Sequence, residues 1–85
     1  MGKVVLPKNQ QVRVQRESRR GKTVTVVRGL EMRESDLAVM LKQLKGKFAA
    51  GGAVGEGAIE LQGDHRDRLV EYFKGLGYPA KAAGG

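Results

Sequence analysis

Two short alternating runs on either side of a basic segment constrain the fold more than any other feature of the chain. In residues 12–16 and 23–26 an apolar residue recurs at every second position, which is the period of a strand with one buried face. The segment between them, residues 17–22, is too polar for a strand interior, and Gly21 within it can adopt a positive φ. The sequence therefore predicts a β-hairpin with inward-pointing valines and a basic connecting loop.

The spacing of apolar residues then changes to that of a helix. Within residues 31–48, five apolar side chains stand at offsets of 0, 3, 4, 7 and 11, namely Leu37, Met40, Leu41, Leu44 and Phe48. This spacing predicts an amphipathic helix with one buried face. Acidic residues crowd its expected first turn and lysines its last, as the helix dipole favours, and Gly46 is expected to mark its fraying end.

A second pair of strands follows the first helix. Residues 58–62 alternate in polarity with Ile59 and Leu61 on one face, so we expect a strand here. The segment Gly55-Glu56-Gly57 is then expected to form the turn that joins it to a short strand near residues 53–54.

A second helix is predicted after the fourth strand. Asp64 is expected to be its N-cap, with Asp67 three residues on in the manner of a capping box. The apolar residues of the buried stripe are Leu69, Val70, Phe73 and Leu76. Residues 78–83 are expected to form a last edge strand.

These elements follow the order β-β-α-β-β-α-β and predict an α+β fold. Two amphipathic helices each need one face covered, and one sheet can cover both, which gives a two-layer α/β sandwich with both helices on one face of a mostly antiparallel sheet. We expect one domain over residues 11–85, preceded by a flexible leader at residues 1–10. The residues expected to hold the core are Leu37, Leu41, Leu44, Ile59, Leu61, Leu69 and Phe73.

The positive charge is concentrated in the first third of the chain. The protein carries 16 Lys and Arg against nine Asp and Glu. Residues 1–30 hold eight of the cations and only Glu17, so the whole net charge of +7 belongs to them, while residues 31–85 are neutral. A clustered excess of this kind indicates a polyanion as the partner, with a solubilising charge surplus as the alternative.

Several kinds of chemistry find no support in the sequence. The chain has no cysteine and one histidine, His65, so we expect neither a metal site nor a cofactor. Asp64 with Asp67 fits a helix start better than an acid–base pair, His65 is expected to be solvated, and neither serine lies in a nucleophile motif. We therefore expect no enzyme.

The few aromatic residues do not suit a base-stacking sheet. No apolar run is long enough for a membrane span or signal peptide, so we expect a cytoplasmic protein without a membrane partner.

A set of motifs spread over residues 11–85 resembles the Sui-one family, that is, eukaryotic translation initiation factor one and its bacterial YciH-type relatives. The motifs are Arg13-Val14-Gln15, Gly21-Lys22-Thr23-Val24-Thr25, Gly29-Leu30, Gly51-Gly52-Ala53-Val54, Gly57, Ile59-Glu60-Leu61-Gln62-Gly63-Asp64-His65-Arg66 and Gly84-Gly85. The chain departs from the bacterial pattern at Ala49 and Ala50, where relatives often have cysteines, and at Gly55, where they have a basic residue.

The resemblance implies a non-enzymatic factor that binds the small ribosomal subunit near the P site. Its partners would be ribosomal RNA and, at the P site, initiator tRNA and mRNA, and we expect it to act as a monomer. The candidate RNA contacts are Arg13, Arg16, Arg19, Arg20, Lys22, Thr23, Arg28, Lys42 and Lys45, with a possible second contact at Gln62, Gly63, Asp64 and Arg66.

Three other functions remain open at this point. The domain could be a generic RNA-binding or RNA-chaperone module of the same fold, or a stress-type translation repressor. It could also be a protein-interaction module whose charge is incidental. The sequence does not distinguish a factor that promotes accurate initiation from one that represses translation.

Overall fold

The structure, a computed structural model, describes residues 7–83. After a 3-10 turn at Pro7–Asn9, five strands and two helices follow in the predicted order β-β-α-β-β-α-β. They are β1 (Val12–Arg19), β2 (Lys22–Arg28), α1 (Glu34–Phe48), β3 (Gly52–Gly55), β4 (Ala58–Gln62), α2 (Arg66–Gly75) and β5 (Ala80–Ala83).

The five strands form one sheet in the order β3-β4-β2-β1-β5. All neighbours are antiparallel except β1 and β5, which are parallel. Helix α1 packs on β3 and β4, whereas α2 packs on β1 and β5. Both helices therefore cover the same face, and the predicted two-layer sandwich is confirmed. We call the other side of the sheet the open face, because no helix within residues 7–83 covers it.

The hydrophobic core lies between the sheet and the helices. Its best-buried side chains are Val12, Val14, Val27, Leu37, Leu44, Ile59, Leu61, Leu69 and Phe73. Six of the seven predicted core residues are thus confirmed. Leu41 is the exception, since it is only partly buried at the margin of this cluster. Leu41 lies beside Gly52 on β3. Because β3 is the edge strand, no further strand of residues 7–83 lies beyond it to cover the Leu41 side chain.

Val24 and Val26 of β2 face the side opposite to the one predicted. Val27 pairs directly with Val14, and directly paired residues share a face of the sheet. Because side chains alternate along a strand, Thr25 joins them under the helices, and Val24 and Val26 lie on the open face. The prediction of inward Val24 and Val26 is wrong. A buried threonine is tolerated here because its hydroxyl is hydrogen-bonded, as described below.

Two tight turns close the two antiparallel hairpins. Arg20 and Gly21 have φ values of 54° and 77°, and Glu56 and Gly57 have values of 52° and 73°. Two positive φ values in a two-residue connection give the turn whose twist matches that of the strands, and glycine adopts the second position without strain. The turn at residues 55–57 is confirmed.

The expected six-residue loop at residues 17–22 is wrong. Strand β1 continues through Arg19 and β2 begins at Lys22. The polar residues remain in the ladder because both faces of this end of the hairpin meet water, so side chains there need no apolar environment. Cross-strand pairing extends to the last residues before the turn, where Arg19 lies opposite Lys22.

Helix α1 extends beyond the end that the sequence indicates. It begins at Glu34 and runs through Gly46 to Phe48, where Ala49 ends it in the left-handed conformation. Gly46 is therefore not its end, since the burial of Phe48 holds the last turn in place.

Asp64 is not the N-cap of α2. The helix begins at Arg66, and the N-cap residue is His65, whose carbonyl accepts the first helical hydrogen bond from Leu69 at 2.8 Å. No side-chain capping bond is made at His65, so the capping box with Asp67 is also wrong. Asp64 stands one residue earlier and is held by other contacts.

The far end of α2 also differs from the prediction. Leu69, Val70 and Phe73 are buried as expected, but Leu76 is 48% exposed. The helix ends at Gly75 and Leu76 is its C-cap, so Leu76 no longer follows the buried stripe. The chain then turns through Gly77, whose φ is 93°, and buries Tyr78 instead before it enters β5 at the edge of the sheet.

The expected leader lies partly outside the described residues, which begin at residue 7. Within the described part, Gln10 is 3% exposed, and its side-chain oxygen accepts a hydrogen bond of 2.9 Å from the backbone of Glu31. This contact fixes the chain just before β1 against the segment that leads into α1.

We predict that Leu44→Ala destabilises the domain by about 2–5 kcal/mol, the range for truncating a fully buried leucine. Leu41→Ala should cost less, because Leu41 is only partly buried. Urea denaturation of the two variants and the wild type measures the difference. Equal losses for both variants would contradict the placement of Leu41 at the margin of the core.

Candidate nucleic-acid interface

The end of the β1–β2 hairpin is a fully exposed cationic projection. Residues 18–23 are all exposed. Arg20 occupies the turn, and Lys22 begins the return strand. Neither side chain forms an ion pair with any of residues 7–83. We call residues 18–23 the hairpin tip, and its two unpaired cations are free to approach an external anion.

Arg19, the third cation of the hairpin tip, is held by carboxylates on the open face. Its guanidinium donates to Glu60 at 2.6 Å and to Glu17 at 2.8 Å. Glu17 also accepts from Arg28 at 3.1 Å. The four side chains join β1, β2 and β4 in one network that lies next to Val26, which is completely buried although it faces away from the helices.

The pKa values of this network reflect its hydrogen bonds. Those from Arg19, and then from Arg28, hold the pKa of the Glu17 carboxyl below its ordinary value. The pKa of Arg19 is raised by its bonds to Glu60 and Glu17. Glu17 is therefore ionised at neutral pH. Because water and salt screen pairs at the surface, the network orients its side chains more than it stabilises the fold.

Arg16 lies on the helix-facing side of β1 and connects the hairpin to the turn before α2. Its guanidinium bonds Asp64 at 2.9 Å, and the other carboxylate oxygen of Asp64 accepts from the backbone N–H of Arg66 at 3.3 Å. The bond from Arg16 is the main reason why the pKa of Asp64 lies below its ordinary value. Asp64 therefore positions Arg16 as well as the entry into the helix.

A buried threonine, Thr25, holds the same turn in place through hydrogen bonds. The Thr25 hydroxyl donates to the Gly63 carbonyl at 2.7 Å and accepts from the His65 backbone N–H at 2.9 Å. The backbone N–H of Gly63 in turn donates to the Thr23 carbonyl at 2.9 Å. These three bonds attach residues 63–65 to β2, so the candidate second contact and the hairpin belong to one rigid unit.

His65 is not the solvated histidine that its position in the sequence indicates. Its ring is half-buried, with Nε2 at 2.9 Å from the Gln62 carbonyl and Nδ1 at 2.7 Å from Arg68. A guanidinium can only donate, so Nδ1 must accept and Nε2 must carry the hydrogen. The ring also lies 5.6 Å from that of Phe48, which ties the turn to α1. These contacts assign His65 a structural part in the turn.

The remaining candidates lie on other elements. Lys42 and Lys45 are exposed on α1, which packs over β3 and β4 and not over the hairpin. The Arg66 side chain is half-buried at the start of α2, and its Nε lies 3.3 Å from Asp67. Arg13 lies on the open face at the end of β1 far from the hairpin tip. The structure thus brings together the hairpin and residues 62–66, and it keeps the lysines of α1 apart from them.

The residues that sequence reasoning missed act through non-local pairing. In the sequence, Thr25 is one of two similar polar positions in an alternating strand, and only the β1–β2 register shows that it is buried. Glu60 meets Arg19 because β4 lies beside β2 in the sheet. The alternation of residues 58–62 does indicate that Glu60 faces away from the core, but it does not identify the strand beside it.

The described residues offer little support for other kinds of site. Among them, no group of three or more His, Cys, Asp or Glu side chains could hold a metal ion. No helix of residues 7–83 is long and apolar enough to span a membrane. All four Phe and Tyr side chains lie outside the strands, so the sheet has no aromatic platform for stacking bases.

The fold and the cationic hairpin define a small α+β domain without a recognisable catalytic arrangement among the described residues. The family model described as "Translation initiation factor SUI1" matches residues 8–79 of the 85-residue chain. The chain therefore belongs to the SUI1 family of translation factors, and the resemblance drawn from its motifs is confirmed.

Curated proteins from several organisms are similar to this chain. A protein of Thermococcus gammatolerans named "Protein translation factor SUI1 homolog" is 47% identical over 77 residues, which cover 89% of this chain and 79% of the relative. A protein of the same name from Sulfolobus acidocaldarius is 48% identical over 69 residues, with 80% and 70% covered. An uncharacterised protein of Synechocystis is 43% identical over 81 residues, with 93% and 73% covered.

We predict that Thr25→Val destabilises the protein by about 1–3 kcal/mol, because the His65 N–H and the Gly63 carbonyl lose their partner in a partly buried setting. Thr23→Val, on the same face but exposed, is the matched control and should change stability by no more than about 0.5 kcal/mol. Thermal unfolding followed by circular dichroism measures both. Equal stabilities for the two variants would show that the Thr25 hydroxyl is not needed.

A second prediction concerns acid sensitivity. Because the pKa of Asp64 is lowered in the folded protein, its contribution to stability is present above its unfolded pKa and is lost as the pH falls through the folded one. Arg16→Gln should raise the pKa of Asp64 toward its ordinary value and leave that of Glu17, which depends on other arginines, unchanged. Carboxyl-carbon NMR titration measures both pKa values. A parallel rise in the two would exclude a specific Arg16–Asp64 contact.

Proposed function

We propose that this protein is a translation initiation factor-like protein that binds the small ribosomal subunit near the P site and influences start-codon selection. The observation that carries this proposal is the hairpin tip, which holds unpaired cations on an exposed, rigid projection. Membership of the SUI1 family supports the translational role. In this proposal ribosomal RNA is the main partner, with initiator tRNA and mRNA close by at the P site, and the protein binds as a monomer.

The proposed mechanism is one of positioning. Arg20 and Lys22 displace condensed counterions from RNA phosphates, which supplies affinity without sequence information. The two-layer sandwich fixes where the hairpin tip lies relative to the rest of the domain. The Thr25 bonds hold the base of the hairpin against residues 63–65, so the backbone of the tip projects in a defined direction from that turn.

The other candidate RNA contacts are supported less strongly than Arg20 and Lys22. Arg19 and Arg28 are engaged by carboxylates, so each would have to exchange an internal partner for phosphate. Arg16 bonds Asp64, which belongs to the turn that we propose as the second contact. Lys42 and Lys45 would meet RNA only where the surface of the subunit also reaches α1. We therefore expect Arg20 and Lys22 to contribute most to RNA binding.

We predict that the double change Arg20→Gln with Lys22→Gln weakens binding to purified small subunits and flattens the dependence of log K on log salt. The expected change in slope is about 1.4–1.8, because each phosphate contact adds roughly 0.7–0.9 to it. Stability should change by no more than about 0.5 kcal/mol, since the tip is exposed. Fluorescence anisotropy over a salt series measures the slope, and circular dichroism verifies folding.

A single change, Lys74→Gln, serves as the charge control. Lys74 lies on α2 beside Glu71, away from the hairpin, and its replacement should leave the slope unchanged. If both variants flatten the slope equally per charge removed, net charge and not the hairpin tip determines binding. Parallel salt curves for the wild type and the double variant would contradict the tip as the contact.

The generic RNA-binding alternative makes a different prediction for chemical footprinting. A subunit-specific factor should protect nucleotides around the P site, and an excess of bulk RNA should not remove that protection. A general RNA-binding module should show scattered protection that bulk RNA competes away. A footprint away from the P site would exclude the proposed site of action.

A further inference from the structure

A row of three cations crosses the open face at the end of the sheet far from the hairpin tip. Arg13 on β1 pairs directly with Arg28 on β2 and with Lys81 on β5. Directly paired residues on neighbouring strands point to the same side and lie about 5 Å apart, so the three side chains span roughly 10 Å. Arg13 and Arg19 are six positions apart on β1, which separates this row from the hairpin tip by about 20 Å.

Two of the three cations in this row, Arg13 and Lys81, lack an acidic partner among the described residues. Both residues are exposed. Arg28 donates to Glu17 and, at 3.4 Å, to Gln15, both of which lie toward the hairpin tip. Its guanidinium is thus directed away from Arg13, as repulsion between the two charges favours.

The arrangement has no evident benefit for folding. Like charges directly opposite one another on neighbouring strands destabilise a sheet. At the other end of the open face the chain does supply counter-charges, since Glu17 and Glu60 neutralise Arg19. Arg13 therefore lies between two other cations without a carboxylate of its own, and both Arg13 and Lys81 would gain from an external anion that bridges them.

We propose that Lys81, Arg13 and Arg28 form a second polyanion-binding site, separate from the hairpin tip, that takes the phosphate backbone of a nucleic-acid strand. The inference rests on the proposed function for its ligand class and extends it to a second surface of the domain. Guanidinium groups pair with phosphate in a bidentate manner, and long side chains whose Cβ atoms are about 5 Å apart can reach neighbouring phosphates or two oxygens of one phosphate.

The surroundings of the row favour a nucleic-acid backbone over an acidic protein segment. A protein interface usually has a buried apolar or aromatic centre within a polar rim. Next to the row the apolar residues of the open face are Val26, which is already completely buried, and the small side chains of Ala58 and Ala83. The row thus offers charge and hydrogen-bond donors without an apolar anchor.

The test compares three variants on two probes, purified small subunits and a 20-nucleotide oligouridylate. The first variant carries Arg13→Gln with Lys81→Gln, the second Arg20→Gln with Lys22→Gln, and the third all four changes. We expect the first variant to flatten the salt slope on oligouridylate by about 1.4, at roughly 0.7 for each single-strand phosphate contact. The effects of the two pairs should add in the third variant, because the sites do not share residues.

Stability provides a second readout. Because the first variant removes two of the three opposed like charges, its thermal midpoint should be unchanged or raised, although its RNA affinity falls. Amide NMR shifts on adding oligouridylate to the wild type should then include β5 around Lys81 as well as the hairpin tip. Lys74→Gln again controls for net charge and should shift neither the slope nor those amides.

Failure of this inference and failure of the proposed function are distinguishable. If the second variant flattens the slope on subunits while the first has the slope of the wild type on both probes, the row is not a binding site and the proposed function stands. If the wild type binds neither probe in a salt-dependent manner, both proposals are wrong. A first variant with a lowered thermal midpoint and an unchanged slope would assign the row a structural role and overturn the inference.

Discussion

The pairing of β1 with β2 is the constraint on which the rest of the structure depends. These strands lie at the centre of the sheet, and β4 and β5 are added to their outer edges. The register that sets Val14 opposite Val27 also decides the face of every charge in the hairpin. A shift by one residue would bury Val24 and Val26 and expose Thr25, so the hydrogen bonds of Thr25 to residues 63 and 65 help to specify the register.

The register divides the cations of the first third of the chain into groups with different surroundings. Arg16 faces the helix side and pairs with Asp64, whereas Arg19 and Arg28 lie on the open face and share Glu17. Arg20 and Lys22 at the tip, and Arg13 at the far end, have no acidic partner among the described residues. The net charge of the chain is therefore a poor guide to where a polyanion would bind, because part of the hairpin's charge is neutralised internally and its unpaired cations are divided between two ends.

The architecture could be predicted from the sequence because the local patterns agree with the global fold. Alternation at residues 58–62 and helical spacing from Leu37 to Phe48 each specify an element, and a sandwich is the compact arrangement in which one sheet covers both helices. The register of β2 could not be predicted, since Thr25 and Val26 are of similar size and the bonds that satisfy the hydroxyl come from residues about 40 positions away. The position of Leu41 at the margin likewise depends on which strand forms the edge.

The candidate site was predictable only as a set of residues and not as a geometry. The cluster Arg16, Arg19, Arg20 and Lys22 is visible in the sequence, but the carboxylates that engage two of its members come from β1 itself, β4 and the turn before α2. An unpaired cation has the larger gain on meeting phosphate, because it gives up water and loosely held ions but no internal partner. A paired arginine has to exchange one anion for another, so it contributes orientation more than affinity. The arrangement of acids, which sequence composition records only as a reduced net charge, thereby determines which ends of the sheet carry unpaired positive charge.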